Sequence, residues 1–438
     1  MKRFPYAWLI WCLLGWTSPA SSPSKSLSRP NIIFIMVDDL GYGDLSCYGR
    51  QDYQTPVLDA FVRQGMNFRQ AYAAAPVCTP TRVGFLTGRY PARLAVGLRE
   101  PLTGLPMDQP DGLSADQATV SSLLKAAGYQ TLLIGKWHLG QQPQHHPNQH
   151  GFEDFYGILG GAADYISHQP GLYHNSVPVQ QSGYLTDLLT QRATAFLRQA
   201  HAKPFFLSLQ YTAPHWPWQT PSDRPYPDSL DWRNGGSQAT YARMMQRLDD
   251  GIGQVLTTLQ QQGLAQNTLV IFTSDNGGEQ YSSMGPFKGK KMTLWEGGIR
   301  VPAAVHWPGV VKPGSVSQQP VITMDWSVTI LAAAGVSYPQ NWDGISLLPH
   351  LKGEVAVQPR TFYWRTANRV QAEAFRQGDW KYLHTPEGEY LFNLAQDPFE
   401  ATNLKARLPQ KFTVLKAAFS EWNQQMLRPL VLDPLADK

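Results

Sequence analysis

Apolar runs, each closed by polar, glycine- or proline-rich positions, set the framework of this 438-residue chain. The first, Ile32 to Val37, is unbroken and ends in Asp38-Asp39 and a Gly-Tyr-Gly turn. An uninterrupted apolar run of this length predicts a strand buried on both faces, as in a parallel sheet. Comparable runs occupy 130–138, 204–215, 267–278 and 302–309. The segments between them carry helical signals. In 55–65, Thr55 is placed as N-cap, Pro56 as first helical residue and Gly65 as stop. In 114–128, Ser114 is the expected cap and Gly128 the stop. From Tyr241 to Leu259, the residues Tyr241, Met244, Met245, Leu248, Ile252, Val255 and Leu259 form one helical stripe. Strands alternating with helices predict an α/β sandwich built on a large, mostly parallel sheet. Ligands of such folds sit at the carboxyl ends of the strands, where these runs place their polar residues.

Beyond about Leu351 the texture changes to short, alternating aromatic runs separated by turn signals. These predict a small antiparallel sheet, with a helix at about 409–426 packed on it. The start of the chain reads differently again. Lys2 and Arg3 precede an apolar stretch from Ala7 to Trp16 and small residues around Ser18 to Ser22. That is the layout of a signal peptide, and the stretch is too short to span a bilayer comfortably. The expected division is therefore a leader at 1–22, a Ser/Pro-rich linker at 23–30, a large α/β domain at 31–350 and a C-terminal α+β subdomain at 351–438.

Composition alters this picture little. The chain is 42 % hydrophobic and 16 % charged, with a net charge of +4. No Lys/Arg block underlies that excess, which argues against nucleic acid as a partner. Three cysteines occur, and Cys12 falls in the leader. Cys47 and Cys78 remain for an exported protein that would tolerate disulfides. No Asn-x-Ser/Thr sequon is present, so a bacterial periplasmic or secreted location is expected.

Cys78 lies in "APVCTPTRVGFLTGR", a polar, Pro- and Gly-punctuated segment. Thr79 and Pro80 read as the N-cap and first residue of a short helix stopped near Gly88. A helix N-terminus favours an anion, and Arg82 stands one turn further on the same face. Two acidic clusters close apolar runs: Asp38-Asp39, and Asp275-Asn276 in "TSDNGG". Oxygen donors without Cys or His suit a hard cation, Ca²⁺ or Mg²⁺, rather than zinc. "GKWHLG" carries Lys136 and His138 in alternation at a strand end, so both can face one pocket. "APHWP" carries His215, and "KGKKMTLWEGG" offers Lys290 and Lys291. His145, His146 and His150 look metal-like as a cluster but read as structural or substrate-edge residues.

The segment around Cys78 resembles the signature of the formylglycine-dependent sulfatases through Cys78, Pro80, Thr81, Arg82 and the distal Leu86-Thr87-Gly88-Arg89. Thr81 stands where that family often has serine. The resemblance extends over about 30–405 and is nearest to the arylsulfatase A and galactosamine-6-sulfatase branch. It implies an alkaline phosphatase-like αβα sandwich with a large mixed, mostly parallel sheet and a small C-terminal antiparallel subdomain. It also implies oxidation of Cys78 to formylglycine (3-oxoalanine) by a maturating enzyme. A cation, calcium by preference, would be held by Asp38, Asp39, Asp275, Asn276 and residue 78. Arg82 would steady the hydrated aldehyde, with Asp275 as the base for its attacking hydroxyl. Lys136 and Lys291 would clamp the sulfate, His215 would protonate the leaving alcohol, and His138 would assist release. The expected substrate is a sulfated saccharide or aryl sulfate. The alternatives are a phosphate or phosphonate hydrolase of the same superfamily and a non-catalytic glycan-binding homologue.

Overall fold

The computed structural model describes residues 1, 29–102, 111–227, 231–367 and 371–429. The leader expected at 1–22 therefore lies outside the described residues, apart from Met1. In chain order the strands are β1 (Asn31–Val37), β2 (Met66–Phe68), β3 (Ala71–Tyr72), β4 (Gln130–Lys136), β5 (Asp154–Ile158), β6 (Leu172–His174), β7 (Val177–Val179) and β8 (Phe205–Gln210). They continue with β9 (Thr268–Ser274), β10 (Ala303–His306), β11 (Ser315–Ser317), β12 (Val321–Ile322), β13 (Thr361–Thr366), β14 (Ala372–Gln377), β15 (Trp380–Thr385) and β16 (Gly388–Asn393). Ten of them form one sheet in the order β11-β2-β10-β9-β1-β8-β4-β5-β6-β7. From β9 to β5 every pairing is parallel. β10, β6 and β7 pair antiparallel, so the 302–309 run extends the sheet in the opposite sense to its neighbour β9.

The unbroken apolar character of β1 follows from its central place. Ile32, Phe34 and Met36 face one core, with Val83, Leu124 and Ile330. Ile33, Ile35 and Val37 face the other, with Leu58, Leu189 and Leu248. Helices thus cover both faces, giving the αβα sandwich. The stripe read from Tyr241 to Leu259 lies within the helix Gln238–Gln261, and all seven of its residues are buried.

Three helix starts differ from the sequence reading. The helix expected from Ser114 begins at Val120, where Thr119 and Ser122 form a capping box. Thr55 precedes the helix Pro56–Gln64 but its side chain caps nothing there. Its hydroxyl donates to Asp59 instead. The helix is capped from afar: Val57 and Leu58 donate backbone N–H bonds of 3.0 and 2.8 Å to Asp249. Asp249→Ala is expected to destabilise the protein by about 1–2 kcal/mol, the value of a lost N-cap, as read by denaturant unfolding. The third difference concerns Cys78. The helix runs Cys78–Thr87 with Val77 at the N-cap position, so Cys78 is its first residue. The Thr79 hydroxyl is used elsewhere, accepting from the Leu102 N–H at 3.0 Å and donating to the His138 carbonyl.

Strands β13–β16 form a four-stranded antiparallel sheet. Phe412, Leu415, Phe419 and Trp422 of the helix Pro409–Gln424 pack on it. Their core also takes in Tyr72, Leu294 and Trp295 from the larger body. Beneath it, Glu296 receives Lys381 at 2.9 Å and Arg300 at 3.2 Å. Burial alone would raise this carboxyl, but Lys381 and Arg300 outweigh it and hold Glu296 at about 2. The small sheet is thereby tied to the segment that carries Lys291.

Candidate active site

The carboxyl ends of four neighbouring strands supply the polar groups. Asp38 and Asp39 follow β1, Lys136 ends β4, His215 lies just past β8, and Asp275 and Asn276 follow β9. The helix Cys78–Thr87 adds Cys78 and Arg82 from one face of the sheet. All are buried.

Each acid meets a base. Lys136 Nζ lies 2.6 Å from Asp38 Oδ2, and Lys291 Nζ lies 2.7 Å from Asp39 Oδ2. Arg82 Nη2 donates to Asp275 Oδ2 at 2.9 Å, and its Nη1 donates to the Lys136 carbonyl and to Gln210 Oε1. The sequence left Lys290 and Lys291 undecided. Lys290 is exposed, whereas Lys291 points inward to Asp39. Asn276 donates to Asp39 Oδ1 at 2.7 Å, which fixes its amide and leaves Asn276 Oδ1 without a partner. Asp38 Oδ1 is also buried without a hydrogen bond. Orphaned buried oxygens are costly unless something satisfies them.

This donor set fits a hard divalent cation. Asp38, Asp39 and His215 bring ligand atoms within 4.8 Å of one another. Asp275 Oδ1 accepts from the Asp39 backbone N–H at 3.2 Å and the Asn276 amide donates to Asp39 Oδ1, so both side chains stand beside Asp39. Carboxylate and amide oxygens select calcium- or magnesium-like ions over zinc. Charge balance agrees. Burial pushes Asp39 up to about 8 and Asp275 up to about 6, despite Lys291 and Arg82 respectively. Asp38 goes the other way: burial would raise it, but Lys136 and Arg82 hold it low.

Cys78 lines the floor of a cavity of about 270 Å³, with His138, His215 and Lys291. Burial raises its thiol pKa, although Lys136 and Lys291 pull the other way. His138 Nε2 contacts the Leu102 carbonyl at 2.7 Å, leaving Nδ1 unpartnered. A Cβ on Gly161 would lie 2.6 Å from that Nε2, so only glycine lets the loop close on the ring. His215 Nδ1 contacts the Trp216 carbonyl at 2.6 Å, and its Nε2 lies 3.5 Å from Asp39. Burial, then neighbouring lysines, depress both histidines well below the ordinary value. Each ring is therefore neutral at rest and able to take a proton.

The remaining candidates separate clearly. His145 and His146 bond to backbone carbonyls, and His150 stacks on Trp137. The three are structural. Among the aromatics that could stack a sugar, Trp216 lines the cavity, whereas Trp218, Tyr165 and Trp364 are buried. Tyr165 donates its hydroxyl to the His215 carbonyl. Gln210 and Arg233 were not singled out from sequence. Gln210 closes β8 and holds Arg82, while Arg233 lines the cavity from the single 3-10 turn Trp232–Asn234, too short to show any periodicity.

Comparison with known proteins supplies the context. The sulfatase family model matches residues 30–336, and that of the N-sulphoglucosamine sulphohydrolase C-terminal region matches 286–425. Human N-acetylgalactosamine-6-sulfatase is 36 % identical over 365 residues, covering 77 % of this chain and 68 % of its own. Rat steryl-sulfatase is 32 % identical, covering 79 % and 74 % respectively. The crystal structure of Ps i-CgsB superposes with a TM-score of 0.83 at 31 % identity, covering 94 % of this chain and 96 % of that one. The same protein has been solved in complex with k-i-k-neocarrahexaose.

Proposed function

This chain belongs to the sulfatase family and is a sulfuric ester hydrolase, and from that premise we propose that it removes O-sulfate from carbohydrates through residue 78. The relatives support the substrate class: one is named N-acetylgalactosamine-6-sulfatase, another was solved with k-i-k-neocarrahexaose. The observation that carries the reading is the placement of Cys78 on the cavity floor, between Lys291, two neutral histidines and an acid cluster with unpaired oxygens. A buried thiol held protonated is a poor nucleophile, so Cys78 serves as a precursor. Oxidised to formylglycine and hydrated, residue 78 supplies one hydroxyl to attack sulfur and a second whose deprotonation releases sulfate.

Asp38, Asp39, Asp275 and Asn276 would hold the cation, calcium by preference, with residue 78 adjacent. The cation supplies Lewis-acid polarisation and charge for the sulfate oxygens. Arg82, Lys136 and Lys291 balance Asp38, Asp39 and Asp275 charge for charge. A divalent ion therefore leaves a positive surplus for an anionic ester. Lys136 and Lys291 then stabilise charge on the transferring group. Asp275 would accept the proton of the attacking hydroxyl. His215, whose Nδ1–H is held by the Trp216 carbonyl, takes a second proton on Nε2 as the anionic ester enters and passes it to the leaving oxygen, and His138 Nδ1 is open to take one during release.

No helix among the described residues is long and apolar enough to cross a membrane. We place the enzyme outside the cytoplasm, periplasmic or secreted, and matured by a formylglycine-generating or equivalent sulfatase-maturating enzyme. His215→Ala is expected to cut turnover of sugar sulfates by about 10²–10⁴-fold. Nitrophenyl sulfate, whose leaving group needs no acid, should lose far less. Equal losses on the two would remove His215 from the acid role.

A further inference from the structure

The cavity above Cys78 has a rim that the reaction leaves unused. No carboxylate lines the cavity among the described residues, and at its mouth Arg233 is the charged group. The guanidinium sits over the Trp216 ring, 5.9 Å from its centroid. That ring in turn lies 4.3 Å from the His215 ring, centroid to centroid. His215, Trp216 and Arg233 thus form a ladder from the group that protonates the leaving oxygen out to solvent. Arg233 Nε donates to Asp231 at 3.2 Å, but both side chains are about half exposed. Such a pair is weak and easily exchanged for a ligand. The two terminal nitrogens have no hydrogen-bond partner among the described residues. A planar fork of this kind binds carboxylate or sulfate through two parallel hydrogen bonds. The rest of the rim, including Pro101, Leu102, Gly160 and Pro170, offers no competing charge.

We infer that Arg233 and Trp216 form a subsite for a second anionic group on the leaving saccharide, with the sugar stacked on Trp216 and its carboxylate or second sulfate held by Arg233. The inference rests on the sulfatase reading. The test compares wild type, Arg233→Ala and Arg233→Lys on four substrates: nitrophenyl sulfate, a monosulfated hexosamine, its disulfated form, and the monosulfated form linked to a uronic acid. Wild type should prefer at least one doubly anionic sugar. Arg233→Ala should lower kcat/KM on it by about 10–100-fold, the scale of charge-assisted hydrogen bonds, chiefly through KM. Nitrophenyl sulfate should lose at least tenfold less, and Arg233→Lys should recover part of the loss. Whether the disulfated or the uronate substrate suffers identifies the anion. Equal losses on all substrates, or no wild-type preference for a second anion, would overturn the subsite. Failure to turn over any sulfate ester would count against the sulfatase reading instead. Titration calorimetry in a Cys78→Ala background then still decides: Arg233→Ala should weaken binding of the preferred doubly anionic sugar at least about tenfold, and an unchanged Kd would overturn the subsite.

Discussion

Cys78→Ala is expected to lower sulfatase turnover by at least about 10⁴-fold, the scale on which loss of a covalent nucleophile acts, while the protein stays folded. Cys78 is 1 % exposed and makes no disulfide. Alanine removes one sulfur atom from the first turn of the helix Cys78–Thr87 and leaves the ion pairs of Arg82, Lys136 and Lys291 in place. The stability cost is that of a small cavity, about 1 kcal/mol. Far-UV circular dichroism and the denaturant midpoint should therefore barely move. Cys78→Ser probes the same point more finely. Serine restores a hydroxyl but not the second one that a hydrated aldehyde provides. A serine ester of sulfate has no internal route to expel sulfate, so one turnover followed by arrest is expected in any host that does not oxidise that serine. Substantial steady-state activity in Cys78→Ala would end the assignment.

Removal of the cation is expected to cost at least about 10³-fold in kcat, since it withdraws several kcal/mol of charge stabilisation. Excess Ca²⁺ should restore it. Stability should respond too: free cation at 100 times Kd adds about 2.7 kcal/mol to the folded state, read as a rise in Tm. The pH dependence has a definite sign. In the ion-free protein burial lifts Asp39 to about 8, above its unfolded value of 3.8. The folded state then holds a proton that the unfolded chain has shed, so stability falls as pH rises toward and through 8. His138 and His215, held low by burial, act with the opposite sign but only below about 6.5. Glu400, raised to about 7, shares the sign of Asp39 but lies away from the acid cluster. Its effect cancels between the two forms. The Tm gap between calcium-loaded and chelated protein should therefore widen from pH 7 to pH 9. A gap of zero at both pH values would remove the cation from the account.

Much of this architecture was legible in the sequence because buried parallel strands announce themselves. Ile32–Val37 must be apolar at every position to serve two cores, and the acids that follow it stand out for that reason. The same contrast marks Asp275 and Asn276 after β9. Other features were hidden. The helix Thr323–Ala333 is buried for most of its surface and shows no polar stripe to report its period. The Thr-Pro pair after Cys78 imitates a helix start, yet the Thr79 hydroxyl is claimed by Leu102 and His138, far along the chain. The cap supplied by Asp249 crosses 191 positions to Leu58 and leaves no local pattern. Lys290 and Lys291 are equivalent as letters. Only the backbone direction, which brings the Lys291 N–H to the Gly278 carbonyl, decides which one enters the site.

The central claim is that Cys78 does not work as a cysteine. Mass spectrometry of the tryptic peptide from Gln70 to Arg82, taken from active enzyme made in its own host, reads this directly. The peptide should carry the mass of the aldehyde at residue 78, in a fraction that tracks specific activity across preparations. Fully active enzyme whose peptide carries an unmodified thiol would contradict it.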